Sequence, residues 1–262
     1  MKEVALITGA TGGLGRAFAK ELALRGEALL LTGRSMEKLT ALRAELLAEY
    51  AVEIFIFAAD LTDMLQRQAL ATFLKEEELS LVHLINVAGA DIQKGVMEYT
   101  QEKIAFQCRI NFEAAVSLCK TAVEHKGKTL EIINISSVSG IYPMPYFAIY
   151  SATKRALTDF SVAFREEMKG RDVKVTAVLP GAMPTREDVK EQIKGQGLWG
   201  RIAVKSPEWV AKKSLKAVGK NKRAYIPGAA NQLMNVATKL IPLRWKLKFI
   251  AKRWSKISKD AF

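Results

Sequence analysis

Cysteine and histidine are both scarce in this sequence, with two of each among 262 residues. Cys108 and Cys119 are predicted to lie on one helix, where eleven residues at ~1.5 Å rise amount to ~16 Å, far beyond disulfide reach. His83 and His125 stand alone, and no cluster of cysteine and histidine has the spacing of metal ligands. We therefore predict no disulfide, no metal site, and a reducing, cytoplasmic setting.

Long apolar runs are also missing. No stretch approaches the ~20 apolar residues that a membrane-spanning helix needs. The apolar run Val4–Ile7 gives way at once to glycines, so we predict no secretory signal. Apolar residues still make up 49% of the chain, which is typical of a globular protein and excludes a disordered one. A chain of 262 residues is long enough for one large α/β domain with a substantial core.

Acidic residues are rare in the last part of the chain. Residues 201–262 contain 16 Lys and Arg but only Glu208 and Asp260 as acids, whereas residues 1–200 contain 24 basic and 25 acidic residues. The net charge of +13 therefore belongs to the C-terminal segment alone, which argues against a nucleic-acid-binding body.

The stretch from Ile132 to Lys154 carries the strongest indication of chemistry. It opens as an apolar, β-branched strand that ends in small hydroxylated residues, and it closes on a predicted helix. Tyr150 and Lys154 share one face of that helix, where a fixed ammonium lowers the pKa of a phenol from its usual ~10. The hydroxyl of Ser137, at the strand end, is expected to hold a substrate oxygen against that phenol. The pattern predicts a proton-transfer site.

The same Tyr-x-x-x-Lys spacing occurs a second time, at Tyr99 and Lys103. That copy follows no strand-end serine at the required distance, so we interpret it as unrelated to catalysis. By itself, the spacing of Tyr150 and Lys154 fits an ordinary contact on a helix surface equally well. The N-terminal segment is what favours catalysis.

A glycine-rich loop, T-G-A-T-G-G-L-G, follows the predicted buried strand Val4–Thr8. Gly9 permits a tight turn, while Gly13 and Gly15 let backbone approach a phosphate at the start of a helix, whose N-terminal N–H groups face the anion. The spacing differs from G-x-G-x-x-G, whose first gap is two residues shorter, and a simple turn is the alternative. The position of the loop before the amphipathic segment Arg16–Arg25 favours phosphate binding.

A second predicted strand, Ala28–Thr32, ends in Gly33-Arg34-Ser35. A cofactor with a free ribose 2′-hydroxyl favours an acidic residue here, ~20 residues beyond the glycines. The first carboxylate is Glu37, already inside the next predicted helix. A guanidinium at Arg34 suits a 2′-phosphate instead, and Arg16 is a candidate second cation. A solvated loop arginine is the alternative, but the missing acid favours NADP.

Strands and helices continue to alternate along the chain. Val52–Ala58 and Leu81–Asn86 are predicted strands, a helix capped by Ser35 runs to Tyr50, and Asp60-Leu61-Thr62 begins another. This alternation predicts an α/β fold with a doubly wound parallel sheet and helices on both faces. In such sheets, ligands bind beyond the carboxyl ends of the strands. The candidates at such ends are the glycine loop, Arg34, Asp60, Asn86 and Ser137.

The chain carries, in this order, the motifs Thr8-Gly9-x-x-x-Gly13-x-Gly15, Asp60, Asn86-x-Ala88-Gly89, Asn111, Ser137, Tyr150-x-x-x-Lys154, Pro180-Gly181 and Thr185. With this set, about residues 3–230 resemble the short-chain dehydrogenase/reductase family. The resemblance implies a single Rossmann-type domain with seven parallel strands and a nicotinamide cofactor. One departure is Val87, where the family usually has a second asparagine.

The resemblance also implies a role for each matched residue. Tyr150 is the general acid/base, Lys154 lowers its pKa and bonds the nicotinamide ribose, and Ser137 orients the substrate carbonyl. Asn111 holds a water that links Lys154 to solvent. The expected cofactor contacts are Gly9, Thr11, Gly13, Leu14, Gly15, Arg34, Asp60, Leu61, Asn86, Ala88, Gly89, Tyr150, Lys154, Pro180, Gly181 and Thr185. Without the resemblance, we would interpret Asn111 as a helix-surface amide and Asp60 as an N-cap.

The segment beyond the sixth predicted strand, Val173–Leu179, is rich in glycine. Ala182–Ser206 also contains Trp199, and we interpret it as a mobile lid over the substrate or as an ordinary surface loop. A capped helix, Ser206–Val218, and a last strand, Ala224–Pro227, are predicted to follow.

The tail beyond Gly228 carries an apolar stripe surrounded by basic residues. The stripe consists of Leu240, Leu243, Leu247, Ile250, Trp254 and Ile257. These residues recur at helical spacing, with lysine and arginine on the flanks and back, which is the pattern of a helix lying on an anionic membrane surface. The alternative is a helix docked on its own domain or on a dimer partner.

We divide the chain into a catalytic NADP-binding domain, residues 1–230, and a basic amphipathic extension, residues 231–262. The sequence predicts an NADP-dependent oxidoreductase that interconverts a carbonyl and a secondary alcohol by hydride transfer, as a reductase of a lipophilic ketone, oxoacyl or steroid-like substrate. We further expect a cytoplasmic homodimer or homotetramer, with peripheral membrane attachment through the tail as an additional hypothesis. The alternative function is a non-catalytic, NADP-responsive binding protein held at a membrane or partner by its C-terminal helix.

Overall fold

Seven strands pair side by side in one parallel sheet. In the computed structural model, which describes residues 1–184 and 204–255, the strand order is β3-β2-β1-β4-β5-β6-β7. The strands are β1 Lys2–Thr8, β2 Leu29–Gly33, β3 Ile54–Ala58, β4 Leu79–Asn86, β5 Lys126–Ile135, β6 Val173–Val178 and β7 Ala224–Tyr225. The central strands are apolar over most of their length because helices cover both faces of the sheet. The predicted α/β fold with a doubly wound parallel sheet is confirmed.

Helices connect the strands and pack on both faces of the sheet. They are α1 Gly13–Ala23, α2 Met36–Glu49, α3 Met64–Glu76, α4 Gln101–Cys108, α5 Ala114–Glu124, α6 Ala148–Glu167, α7 Pro207–Gly219, α8 Ala229–Lys239 and α9 Leu243–Trp254. A π-helical turn, Arg109–Glu113, joins α4 to α5. Cys108 and Cys119 therefore lie on one continuous helical rod, as predicted.

Two apolar cores separate the sheet from its helices. Phe18 of α1, Leu42 of α2 and Leu215 of α7 belong to the core on one face. Leu70 of α3 and Leu118 of α5 belong to the core on the other face. All five side chains are almost completely buried. Because each face has its own core, the sheet is held rigidly and its carboxyl edge is a fixed platform for the loops.

Helix α3 begins later than the sequence predicted. Asp63 is its N-cap, since the side chain accepts a hydrogen bond from the N–H of Leu65 at 2.8 Å, so the predicted start at Asp60-Leu61-Thr62 is wrong. Asp60 is not an N-cap either. Its Oδ1 accepts hydrogen bonds from the N–H and the hydroxyl of Thr62, at 2.9 and 2.8 Å, which closes a turn ahead of the helix. Asp60 therefore stays just beyond the end of β3.

Other boundaries shift by a turn or less. Helix α1 begins at Gly13, inside the glycine loop, and not at Arg16. Strand β7 ends at Tyr225, before the predicted end at Pro227. Helix α7 is capped as predicted, because the hydroxyl of Ser206 accepts a hydrogen bond from the N–H of Trp209 at 3.2 Å.

Some predicted features lie outside the described residues. Most of the predicted lid, Ala182–Ser206, falls in residues 185–203, which include Thr185. The last residue of the apolar stripe, Ile257, also lies outside them.

Helix α9 docks on its own domain through part of the predicted stripe. Ile250 is buried against Met144 and Phe147 in the loop before α6. The ring of Trp254 stacks on that of Phe147, with centroids 5.9 Å apart and an interplanar angle of 14°. Leu243, at the start of α9, is exposed. Ile250 and Trp254 of the stripe therefore form a packing surface, as the docking alternative predicted.

No helix within residues 1–184 and 204–255 combines the length and the apolar character needed to cross a bilayer.

Trp254→Ala removes the ring that stacks on Phe147 and should loosen α9. We expect backbone amides of α9 to exchange with solvent roughly 10-fold faster or more, because a buried aromatic contact is lost, while amides of β1 keep their protection. Hydrogen exchange read by mass spectrometry measures this. Trp245→Ala is the matched control, since Trp245 lies on the same helix and is 69% exposed. Equal loosening by both substitutions would contradict the docking of α9 through Trp254.

Candidate active site

A cavity lies at the point of the sheet where the strand order reverses. Strand β1 pairs with both β2 and β4, so the chain leaves β1 toward one edge of the sheet and β4 toward the other. A crevice opens between the loops that follow these two strands. Thr8 joins the loops, because its hydroxyl oxygen accepts hydrogen bonds from the N–H groups of Val87 and Ala88, both at 3.0 Å.

Two glycines of the loop after β1 are required by close contacts. Gly9 has a φ of +59°, and a Cβ there would lie 3.0 Å from the backbone N of Ala88. A Cβ on Gly15 would lie 2.2 Å from the carbonyl oxygen of Gly9. These contacts seat α1 directly behind the loop. Gly12, Gly13 and Leu14 line the cavity, and no side chain caps the start of α1. The free N–H groups at this helix start make a suitable cradle for an anion.

The cavity has a volume of about 710 Å³. The predicted site residues that line it are Gly9, Thr11, Gly13, Leu14, Arg34, Asp60, Leu61, Ala88, Gly89, Ser137, Tyr150, Lys154, Pro180 and Gly181. Three predicted residues are not in its wall: Gly15, Asn86 and Asn111. Thr185 lies outside the described residues, so the structure does not place it.

Two cationic side chains line the cavity where the chain leaves β2. Arg34 and Lys38 both line it, both are exposed, and neither forms an ion pair with a residue that the structure describes. Lys38 was missed in the sequence; it lies beside Arg34 because Ser35 caps α2 by accepting from the N–H of Lys38. Arg16, the candidate second cation, does not line the cavity, and its guanidinium pairs with Glu45 of α2.

The side chain of Asn86 holds the sheet to its helices and does not reach the cavity. Its Nδ2 donates to Oδ1 of Asn134 at 2.8 Å and to the carbonyl of Ala115 at 3.3 Å. Nδ2 of Asn134 donates in turn to the hydroxyl of Ser161 at 2.9 Å. The side chain of Asn86 is thus engaged within the fold, and its expected contact with a cofactor stays a prediction. The backbone that follows it, residues 87–90, lines the cavity instead.

Ser137, Tyr150 and Lys154 meet where β5 ends and α6 begins. Ser137 caps a short 3₁₀ helix, Val138–Gly140, by accepting from the N–H of Ser139 at 3.1 Å. Tyr150 and Lys154 lie one turn apart on α6, with Nζ of Lys154 5.8 Å from the centroid of the Tyr150 ring. All three line the cavity. The geometry brings a phenol, an ammonium and a hydroxyl to one wall.

The ammonium of Lys154 is buried, the residue being only 4% exposed. Its Nζ donates a hydrogen bond to the carbonyl of Ile135 at 2.8 Å. Burial lowers the pKa of Lys154 to about 8, although the negative charge of Asp91 acts in the opposite direction. The side chain is still mostly protonated at neutral pH. A positive charge in this position favours the ionised form of a neighbouring acid.

Asn111 is buried because it lies in the π-helical turn between α4 and α5. Its Oδ1 accepts from the N–H of Ala90 at 2.8 Å, and its Nδ2 donates to the carbonyl of Ala90 at 2.9 Å. A Cβ on Gly89 would lie 2.9 Å from Oδ1 of Asn111 and 3.3 Å from Nζ of Lys154. Asn111 thus fixes the loop after β4 beside Lys154, and it is not the helix-surface amide that its sequence context alone suggests. π-Helical turns are frequent at functional sites.

Ser136 anchors α6 to the end of β5, and the sequence analysis missed it. Its hydroxyl donates to the carbonyl of Lys154 at 2.7 Å and lies 2.7 Å from the hydroxyl of Thr158. A serine beside the motif serine carries no pattern of its own, so no signal in the sequence distinguishes the anchoring residue from Ser137.

Aromatic rings pack beside Tyr150 and extend to α9. The ring of Phe147 stacks on that of Tyr150, with centroids 4.3 Å apart and an interplanar angle of 14°. Phe147 also stacks on Trp254, and Tyr142 and Met144 complete this apolar cluster. Within this cluster Tyr150 lines the cavity, whose own apolar lining includes Phe106, Ile110 and Met183 and suits an apolar substrate group.

The second Tyr-x-x-x-Lys pair lies apart from the cavity. The hydroxyl of Tyr99 donates to the carbonyl of Ile92 at 2.8 Å and to Oε1 of Gln107 at 3.2 Å. Tyr99 and Lys103 do not line the cavity. The contacts of Tyr99 are those of a packing residue.

Comparison with known proteins links these features to one family. The model of the short chain dehydrogenase family matches residues 3–194. The very-long-chain 3-oxoacyl-CoA reductase of Bos taurus is 33% identical over 235 residues, covering 84% of this chain and 70% of that protein. The 3-ketodihydrosphingosine reductase of Bacteroides thetaiotaomicron is 31% identical over 186 residues, covering 70% of this chain and 65% of that protein. A solved structure, a short-chain dehydrogenase from Sphingobium yanoikuyae in complex with NADPH, is 28% identical and superimposes with a TM-score of 0.74, covering 100% of this chain and 98% of that one.

Lys154→Met removes the buried charge and should stabilise the cofactor-free protein. At about pH 7, we expect the free energy of unfolding to rise by up to ~3 kcal/mol, the equivalent of the depressed pKa. Between pH 8 and 10.5, the unfolded wild-type chain binds more protons at this lysine than the folded one. The stability of the wild type therefore rises with pH there, and its difference from the variant shrinks.

Urea unfolding followed from about pH 7 to about pH 10 measures this difference. Lys75→Met is the control, because Lys75 is exposed on α3, and it should leave stability within ~0.5 kcal/mol. A Lys154→Met protein less stable than the wild type at pH 7 would contradict the prediction.

Proposed function

The chain belongs to the short-chain dehydrogenase family, and from this premise we propose that it is an NADPH-dependent reductase of a lipophilic carbonyl compound. Its reaction interconverts a carbonyl and a secondary alcohol. The observation that carries the proposal is the meeting of Ser137, Tyr150 and Lys154 in the same cavity as the glycine loop. A proton donor and an anion cradle on one crevice are what reduction by a bound dinucleotide needs.

The residues of the crevice fit a dinucleotide. The start of α1 has no side-chain cap, and Gly9 has no room for a side chain. Together they provide a backbone cradle for a pyrophosphate. Asp60 and Leu61 lie beyond β3, on the side where an adenine would sit, and Lys154 lies on the side of the reacting ring. When bound, the cofactor supplies the hydride.

Side chains of the protein would donate the proton and bind the substrate oxygen. The hydroxyl of Ser137 holds the carbonyl oxygen, and the phenol of Tyr150 gives it a proton. The buried ammonium of Lys154 stabilises the phenolate that remains, since an opposite charge nearby favours the ionised form. Asn111 holds the backbone beside Lys154. We also propose that Asn111 holds a water that links Lys154 to solvent.

The choice of NADPH over NADH follows from charge. Arg34 and Lys38 lie where a 2′-phosphate would bind, and neither has an ion-pair partner among the described residues. No carboxylate among the residues lining this end of the cavity is placed directly after β2, where an NAD-binding protein places one. Two such cations favour a phosphate over a hydroxyl.

The proposed substrate class is a lipophilic ketone, with oxoacyl and steroid-like compounds as the first candidates. Phe106, Ile110 and Met183 give the cavity apolar lining, and Phe147 and Trp254 form an apolar cluster beside Tyr150. The two curated relatives described above are named for reducing long-chain acyl and sphingoid compounds, which supports the same class. We further propose a homodimer or homotetramer, a division into residues 1–230 and 231–262, and peripheral attachment to anionic membranes.

Arg34→Ala tests the cofactor. We expect wild-type protein to bind NADPH more tightly than NADH, and the substitution to weaken NADPH binding by about 10- to 150-fold, the worth of a charge-assisted hydrogen bond, with little change for NADH. Titration of both cofactors measures this. Arg43→Ala, an exposed arginine elsewhere on α2, is the control. Tighter binding of NADH than NADPH by the wild type would overturn the assignment.

Tyr150→Phe tests the reaction. The substitution keeps the ring and removes the proton, so turnover of a ketone panel with NADPH should fall at least ~10²-fold while NADPH still binds. Tyr99→Phe is the matched control and should leave turnover nearly unchanged. Equal losses in both variants would mean that the wrong tyrosine is assigned. NADPH binding without turnover of any carbonyl would favour the alternative, a non-catalytic NADP-responsive binding protein.

A further inference from the structure

Helix α8 has its polar side turned inward and its apolar side turned outward. Asn231 is buried, and its Nδ2 donates to the carbonyl of Pro227 at 2.9 Å. Leu233, Val236 and Leu240 follow one another at helical spacing, and they are 69%, 59% and 87% exposed. An amphipathic helix that folds against its own domain buries its apolar face. The arrangement of α8 is the reverse, and no packing among residues 1–184 and 204–255 covers its apolar side.

Helix α9 continues this apolar surface. Trp245 and Phe249 are four residues apart and therefore share one face, and they are 69% and 67% exposed. The opposite face carries the buried Ile250 and the stacked Trp254. Nζ of Lys246 donates to the carbonyl of Thr238 at 2.9 Å, which links α9 to the end of α8. We call the exposed set the outer face: Leu233, Val236, Leu240, Trp245 and Phe249.

Basic residues surround the outer face. Lys248 and Lys252 lie next to its two aromatic side chains on α9, and both are exposed. Between Trp209 and Ser255 the sequence contains no aspartate or glutamate. The outer face is therefore apolar at its centre and positive at its border.

We propose that the outer face docks on the surface of an anionic phospholipid bilayer. Exposed aromatic and aliphatic side chains enter the boundary between headgroups and acyl chains, while the lysines contact anionic headgroups. A second copy of this chain fits less well. Two outer faces would bring like charges together, and neither offers an acidic residue to pair with them.

Docking would also orient the active site. The inner face of α9 contacts Phe147, which stacks on Tyr150, and Asn231 of α8 lies against Gly181 in the cavity wall. The part of the cavity lined by Tyr150 and Gly181 would therefore lie on the side of the bilayer, from which a lipophilic substrate partitions. This consequence rests on the proposed function, whereas the docking itself does not.

Co-sedimentation of the full chain with vesicles tests the proposal. We expect the protein to pellet with phosphatidylcholine/phosphatidylglycerol vesicles at low salt, and much less with phosphatidylcholine alone. Salt of about 1 M shortens the screening length to ~3 Å and should weaken the binding without abolishing it, because the apolar contribution remains.

Two double substitutions separate the apolar and the charged contributions. Leu233→Ser with Phe249→Ser should lower vesicle affinity by at least ~10-fold at both low and high salt. Its matched control is Leu24→Ser with Leu65→Ser, at residues that are 66% and 68% exposed elsewhere. Lys248→Glu with Lys252→Glu should lower affinity by at least ~10-fold at low salt. Its control is Lys75→Glu with Lys128→Glu, which changes the net charge equally.

Thermal unfolding and NADPH binding serve as checks that each variant is folded, and both should match the wild type because the substituted residues are exposed. A wild type that does not pellet with anionic vesicles, or an outer-face variant that pellets as well as the wild type, would overturn the proposal. So would an oligomer that dissociates on Leu233→Ser with Phe249→Ser while vesicles are not bound, since that result assigns the outer face to self-association. A wild type that does not bind NADPH would contradict the proposed reductase function but not the proposed membrane docking.

Discussion

Thr8 and Ile85 are separated by 77 residues in the chain, yet β1 and β4 lie side by side in the sheet and bring their loops into contact. The glycine loop then meets the loop at residues 87–90 so closely that a Cβ on Gly9 would lie 3.0 Å from the backbone of Ala88. The crevice, the direction of α1 and the approach of Gly89 to Lys154 all depend on this pairing. A parallel sheet achieves it because all its strands end at one edge.

Stability and function make opposite demands at Lys154. A buried ammonium is unfavourable for folding, and burial depresses its pKa accordingly. The protein holds it with one hydrogen bond to the carbonyl of Ile135, while Ser136 fixes the helix that carries it. The same burial makes the charge effective on Tyr150, because a charge shielded from water acts more strongly on its neighbour. The arrangement is understandable as a site requirement and not as a contribution to the core.

Buried parallel strands and glycines at close contacts could be predicted from the sequence because each depends on local composition. The features that could not be predicted from local sequence depend on contacts between distant segments. Asp60 and Asp63 are both good N-caps, and only the hydrogen bonds of the turn decide between them. Asn86 ends a strand, where cofactor-binding residues are expected, but its amide donates a hydrogen bond to Asn134 in the neighbouring strand. Arg16 lies on α1, directly after the glycine loop, but its guanidinium forms an ion pair with Glu45 of α2.

The C-terminal helices show a further limit of periodicity. The spacing of apolar residues in the tail predicts a stripe but does not say what it faces, and the structure divides the apolar residues of α9 between two opposite sides. Trp254 contacts Phe147 beside Tyr150, while Trp245 is exposed. Since both rings belong to one helix, anything that holds the outer side also fixes the aromatic cluster beside Tyr150. A contact outside the active site is thereby connected to the phenol through two stacked pairs of rings.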